Sequence, residues 1–204
     1  MKEERKLLEN YYLRDFPDDW LVASLKSFRS GREKTFQRNA IKAMKGEQQN
    51  WFYVYGPLGA GKSYALAAFL NDLAKKGKRV AFINANKRFD ELKGLAMKNK
   101  PKFDEIMKEL CSLDYLTIDD FGSEFKSEYV RDQIVLPLLT ERSKKHKVTL
   151  FSSDYSLTEI EQLYYTGFGA NILARKLVDV IRSNLKPEEE EYHLEKGLEN
   201  FVSR

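Results

Sequence analysis

Cysteine is almost missing from this chain: Cys111 stands alone. No disulfide can form within it, and no cysteine-built zinc site is possible. The expected setting is a reducing cytoplasm. Long apolar runs are missing too. Nothing approaches the length of a membrane span, and the opening "MKEERKLLEN" has no apolar core of the kind a secretion signal needs. No membrane partner is expected. Internal repeats and low-complexity tracts are absent. A strong charge of one sign is absent as well. With 35 Lys+Arg against 31 Asp+Glu, the net charge of +4 permits an anionic partner such as nucleic acid without demanding one. What remains is 204 residues of which 42% are hydrophobic, enough for one sizeable core.

Residues 1–30 read as an N-terminal arm and 31–204 as the folded domain. The arm's "LRDFPDDWLVASLKSF" mixes large apolar residues with a Pro-Asp-Asp turn signal. A helix is expected over Glu33–Lys45, with Phe36, Ala40 and Met44 on one stripe and Gly46 to end it. Strand-like and helix-like runs then alternate. Strands are predicted at Trp51–Tyr55, Arg79–Asn84, Tyr115–Ile118 and Val148–Ser152. Helices are predicted near Lys62–Lys76, Phe89–Met97, Phe103–Cys111 and Ser127–Lys144. In the first of these helices, Leu66, Phe69, Leu70 and Leu73 form the buried stripe. Pro137 should kink or break the last. Ser156-Leu157-Thr158-Glu159 is a capping-box pattern that opens another helix, one more follows near Asn171–Ser183, and "EYHLE" reads as a last strand. The alternation implies an α/β fold, a parallel β-sheet flanked by helices.

Directly after the first of these strands comes "YGPLGAGKSY". Residues Gly56 to Ser63 fit G-x-x-x-x-G-K-[ST] in full, with a strand before and an amphipathic helix after. Glycines let the backbone curl so that several N–H groups face an anion. The helix N-terminus adds partial positive charge. Lys62 reaches β- and γ-phosphates and the Ser63 hydroxyl can ligate Mg²⁺. The expected ATP/ADP-binding residues are therefore Gly56, Pro57, Leu58, Gly59, Ala60, Gly61, Lys62, Ser63 and Tyr64.

A second motif is "LDYLTIDDFG", an apolar strand ending in Asp119 and Asp120. The C-terminal ends of parallel strands form the ligand edge of such a sheet. Asp119 is the expected Mg²⁺-shell residue, and Asp120 the group that orients or activates an attacking water. The strand "TLFSS" ends in Ser152-Ser153-Asp154, where a polar residue can meet the γ-phosphate or that water; turn residues alone explain such an ending equally well. Lys87, Arg88 and Phe89 follow the second predicted strand. An arginine beside an aromatic suits single-stranded nucleic acid, and a solvated helix start with a buried Phe explains them as well.

These stretches together resemble the AAA+ helicase loaders of bacterial replication, the DnaI-like group related to DnaC and to the IstB-type transposition ATPases. The resemblance runs from about Leu13 to the C-terminus. It is carried by "YVYGPLGAGKSYALAAFLNDLAKKG", "LTIDDFGSEFKSEYVRDQIV", "TLFSSDYSLTEI" and "RKLVDVIRSN". It implies a P-loop NTPase of AAA+ type with little or no separate lid domain. The implied function is an ATPase that helps deliver the replicative DNA helicase onto single-stranded DNA during primosome assembly, assembling with itself on that scaffold. By position, Lys62 and Ser63 correspond to Walker A and Asp119 and Asp120 to Walker B. Asp154 falls at sensor 1, where these proteins usually carry Asn. Arg175, Lys176 and Arg182 lie on the segment that offers a finger to a neighbouring subunit's nucleotide. A carboxylate at sensor 1 and a lysine best aligned as finger imply slow hydrolysis, stimulated by partner or DNA. DnaI-type loaders carry an N-terminal helicase-binding zinc domain, for which this chain lacks cysteines, so it corresponds to the ATPase domain alone. A small-molecule kinase is disfavoured, since no Arg-rich lid lies between Asp119 and Val148. A nucleotide-gated adaptor without turnover and a transposition-helper ATPase are the alternatives.

Overall fold

A computed structural model of the chain describes residues 7–27, 50–123, 127–164, 171–185 and 192–193. The helix expected over Glu33–Lys45 lies outside the described residues.

Six strands form one sheet: β1 (Tyr11–Arg14), β2 (Phe52–Tyr55), β3 (Val80–Asn84), β4 (Tyr115–Asp119), β5 (Val148–Ser153) and β6 (Tyr192–His193). Their order is β1-β3-β4-β5-β2-β6, and every neighbouring pair is parallel. The helices are α1 (Lys62–Lys75), α2 (Ala85–Lys98), α3 (Lys100–Ser112), α5 (Leu157–Tyr164) and α6 (Asn171–Arg182). Between α3 and α5 runs a composite helix, α4, made of an α-turn Glu128–Val130, a π-helical segment Arg131–Val135 and an α-helix Leu136–Lys144. The π segment is where the break expected at Pro137 falls. Proline has no N–H and its ring crowds the carbonyl four residues back, and a wider turn immediately upstream makes room for it.

The central strands read as continuous apolar runs because both faces are covered. Tyr53, Val54, Ala81, Ile83, Leu116, Ile118, Leu150 and Phe151 are all fully buried. Helix α1 is buried well beyond its predicted stripe: Ala67, Ala68 and Ala74 are as inaccessible as Leu66, Phe69, Leu70 and Leu73. The cause is the N-terminal segment. The stretch expected to be an arm is built into the sheet at β1 and then crosses α1 as two 3₁₀ turns, Asp18–Val22 and Leu25–Ser27. Phe16, Ala23 and Leu25 are core residues. Asn71 and Asp72 of α1 fasten this crossing. The Asn71 amide donates to the carbonyls of Trp20 (2.8 Å) and Ala23 (3.0 Å), and its Oδ1 accepts from the Tyr11 hydroxyl at 3.0 Å. Asp72 Oδ2 accepts from Ser24 Oγ and from the Leu25 N–H, each at 3.0 Å. Every polar atom of the buried Asn71 side chain is thereby satisfied, which burial requires.

On the sheet's other side a second polar group does similar work. Arg142 is fully buried, and it pairs with no carboxylate among the described residues. Its guanidinium donates to the carbonyls of Leu110 (2.5 Å), Leu113 (3.1 Å) and Val148 (2.5 Å) and to Thr149 Oγ1 (3.0 Å). It ties the end of α3 to β5. Burial pulls its pKa down to about 9, so it is still charged at neutral pH.

Candidate functional site

Strand β5 lies between β2 and β4, and the registers Tyr55↔Ser153 and Ile118↔Phe151 bring the C-terminal ends of all three to one edge. The loop after β2, the acids after β4 and the Ser-Ser-Asp that ends β5 are therefore neighbours, as the ligand edge of a parallel sheet requires.

The loop leads into α1 through Gly61, whose φ of 82° is a left-handed conformation that side chains disfavour. As N-cap, Gly61 has no side chain to offer the first turn. The next helices begin differently. Asn84 caps α2 by accepting from Lys87 N, Asn99 caps α3 by accepting from Lys102 N, and Ser127 caps α4 by accepting from Val130 N. Ser156 and Glu159 close the expected capping box on α5. Among α1 to α5, α1 is the one whose N-cap residue makes no side-chain hydrogen bond to the first turn. That is the arrangement in which a helix start holds an anion.

Lys62 is buried, with only 7% of its surface exposed. Its ammonium donates to the carbonyls of Gly56 (2.8 Å) and Pro57 (3.0 Å) and to Asp154 Oδ1 (2.9 Å). Tyr64, half-buried one turn into the helix, meets the Trp20 ring edge-on at a centroid distance of 5.6 Å. Ala60 is buried and Leu58 stands out into solvent.

Across the edge, Asp119 accepts a hydrogen bond from the hydroxyl of Ser152, and the Ser63 hydroxyl lies close enough to favour its charged form. Burial pushes its carboxyl above the ordinary carboxylate value. The two hydroxyls and the charge of Lys62 oppose this, and the neighbouring Asp120 reinforces it. A partly buried acid raised in this way, beside a second acid, is a place where a cation is favourable. Asp120 itself takes a left-handed conformation, φ 60°. That turn is stitched down: its N–H donates to Ser152 Oγ (3.0 Å), and its carbonyl accepts from the N–H (3.1 Å) and hydroxyl (2.6 Å) of Ser123. Gly122 follows at φ 94°, packed against Ile160 and Tyr155.

The end of β5 joins the two halves. Ser152 holds Asp119 and Asp120; Ser153 Oγ donates to the Phe121 carbonyl (2.6 Å) and accepts from Tyr155 N (3.0 Å); Asp154 holds Lys62. The two serines carry more of the site than a turn reading would give them.

The remaining expected residues lie elsewhere. Arg175 and Arg182 of α6 both face Glu161 of α5, each at 3.6 Å, and Arg182 also reaches Thr158 Oγ1 at 3.3 Å. Lys176 is exposed on the same helix. The described polar contacts of Lys62 and Asp119 include none of the three. The residues read as a candidate nucleic-acid contact are partly engaged within the fold. Phe89 is fully buried, while Lys87 Nζ (2.9 Å) and Arg88 (2.7 Å) are engaged by Asp15 at the end of β1. Among the described residues, no group of three or more His, Cys, Asp or Glu side chains can hold a metal ion. No helix among them is long and apolar enough to cross a membrane.

Comparison with known proteins places this edge in a family. The family model of the bacterial DnaA ATPase domain matches residues 24–166, well over half of the chain, and takes in the loop, the paired acids and the end of β5. The chain belongs to that family. A curated relative within reach is the replicative helicase loader DnaI of Bacillus subtilis (strain 168), 30% identical over 109 residues, which are 53% of this chain and 34% of the relative. The chain thus spans about a third of that relative's length. A crystal structure of DnaI superposes with a TM-score of 0.78 at 20% identity, covering 98% of this chain and 100% of that one. The replication initiator DnaA bound to AMPPCP and single-stranded DNA superposes with a TM-score of 0.68 at 20% identity, over 90% of this chain and 52% of that one. The fold is thus that of the AAA+ ATPase domains of the DnaA family, with the parallel sheet and flanking helices expected from the sequence.

Proposed function

We propose that this chain is the ATPase module of a replicative helicase loader. It binds ATP or ADP at Gly56–Tyr64 and works with a replicative helicase on single-stranded DNA in the cytoplasm. One observation carries the reading. A helix start whose N-cap is a glycine, a buried lysine and a partly buried, cation-seeking acid meet at one sheet edge, joined by the end of β5. The likeness to DnaI supplies the partner: that protein is named a replicative helicase loader.

In this reading the loop N–H groups and Lys62 bind the β- and γ-phosphates. Ser63 and Asp119 would hold Mg²⁺, which would supply charge neutralisation at the phosphates. Asp120 and Asp154 lie beside the terminal phosphate, and Asp120 accepts the proton of the attacking water. Turnover needs a second subunit. Arg175, Lys176 and Arg182 serve the neighbour's nucleotide, a head-to-tail contact that builds rings or spirals.

The test is ATP hydrolysis by the purified chain, alone and with single-stranded DNA and a replicative helicase, alongside helicase pull-down with and without AMPPCP. The expected outcome is slow basal turnover raised by DNA or helicase, and helicase captured in a nucleotide-dependent way. Turnover that ignores both, with no capture in either state, overturns the loader reading.

A further inference from the structure

The Lys62 ammonium has three protons, and the chain itself occupies all three: Gly56 O, Pro57 O and Asp154 Oδ1. We infer that Asp154 is a built-in competitor for nucleotide phosphate and sets the preference of this site between nucleoside diphosphate and triphosphate. The inference rests on the nucleotide-binding reading given above.

The three acceptors are not equivalent. Two are backbone carbonyls of the loop and yield only if the loop refolds. The third is a side chain, 44% exposed, paired with a lysine side chain that is 8% exposed. A phosphate oxygen that reaches Lys62 therefore displaces Asp154, one anion replacing another. The displaced carboxylate cannot go far, because the chain on both sides of it is pinned. Ser153 O accepts from the Gly56 N–H at 3.2 Å, Ser153 Oγ accepts from the Tyr155 N–H at 3.0 Å, and the Tyr155 carbonyl accepts from the Tyr53 hydroxyl at 2.7 Å. Rotation about its own side-chain bonds is the freedom left to Asp154. Its charge stays beside the phosphates.

Two penalties follow. Any nucleotide that uses Lys62 breaks the ion pair. A triphosphate adds further negative charge next to a carboxylate that cannot leave, at a partly exposed site where repulsion is reduced but not abolished. The second penalty falls mainly on the triphosphate, and a repulsion of this kind weakens binding by about tenfold. The isolated chain should therefore hold ADP in preference to ATP. Anything that draws Asp154 away from the edge favours the triphosphate.

Calorimetric titration decides it, with Mg-ADP and Mg-AMPPCP as probes on the parent, Asp154→Asn, Asp154→Ala and Lys62→Ala proteins, each checked by its melting curve. Asparagine keeps the shape and the acceptor oxygen and removes the charge. The parent is expected to bind ADP more tightly. Asp154→Asn should raise AMPPCP affinity about tenfold more than ADP affinity, with Asp154→Ala moving the ratio in the same direction. If Asp154→Asn fails to fold, the alanine variant decides. Binding of both nucleotides by the parent with an unchanged ADP-to-AMPPCP ratio in the variants overturns the inference and leaves the nucleotide site standing. Absence of binding in every protein overturns both.

Discussion

Replacing Gly122 with alanine places a methyl group 2.4 Å from Ile160 Cδ1 and 3.3 Å from the Tyr155 ring, at a backbone φ of +94°. Two costs arise and can be measured apart. The left-handed backbone costs an L-residue roughly 1–2 kcal/mol. The overlap costs about 1–3 kcal/mol more, because the Cδ1 end of the fully buried Ile160 must shift to make room. The sum for Gly122→Ala is about 2–5 kcal/mol, a large part of a domain's stability. Urea denaturation of parent and variant at neutral pH measures it. Repeating the substitution in an Ile160→Val background removes the clashing Cδ1 atom and leaves the backbone term. There Gly122→Ala should cost only about 1–2 kcal/mol. Since Gly122 follows directly on Asp119, Asp120 and Phe121, the variant should also lose nucleotide affinity before it unfolds. A cost below about 0.5 kcal/mol in the parent background, or an equal cost in both, refutes the reasoning.

Three further outcomes are expected. Asp119→Asn should weaken Mg²⁺-dependent nucleotide binding while Asp120→Asn leaves binding intact and slows turnover, which paired titration and single-turnover kinetics would separate; equal loss of binding in both excludes this division of roles. Arg142→Ala should destabilise by about 3 kcal/mol or more, since three buried carbonyls lose their donor and a cavity opens, read as a drop in urea midpoint at unchanged slope. Burial alone would raise the pKa of Asp15, but hydrogen bonds from Arg88, Lys87 and the Asn84 N–H hold it below the ordinary carboxylate value. A depressed folded-state pKa contributes stability that is present above the unfolded value, roughly 3.9, and lost as pH falls through the folded one. The stability gap between parent and Asp15→Asn should thus be full at pH 7 and shrink below about pH 4; a gap constant from pH 7 to pH 3 contradicts the assignment.

The central strands and the phosphate loop were legible because local sequence alone specifies them. Strands buried on both faces read as apolar runs, and the loop's glycines and lysine sit at fixed spacing. Strand β1 was not legible. "YYLR" is an edge strand, intermediate in burial throughout, and the Pro-Asp-Asp that follows it signals a turn more strongly than it signals a strand. Its partners, β3 in the sheet and Asn71 against the Tyr11 hydroxyl, lie a long way down the chain. The same limit hid the partner of Lys62. The chemistry of Asp154 could be read from its position at a strand end, but an ion pair across 92 residues has no local trace. For Phe89 the sequence left two readings open, a stacking platform beside Arg88 and a buried residue at a helix start, and packing decides for the second.

The double fastening of α1 has a mechanical side. At one end Lys62 is held by loop carbonyls and Asp154; roughly 14 Å of helix further on, Asn71 and Asp72 grip the backbone of residues 20–25. The helix whose first turn carries Lys62 is thereby fastened to the N-terminal crossing as well as to the phosphate loop, so a change that loosens residues 20–25 also removes support from the helix that presents Lys62.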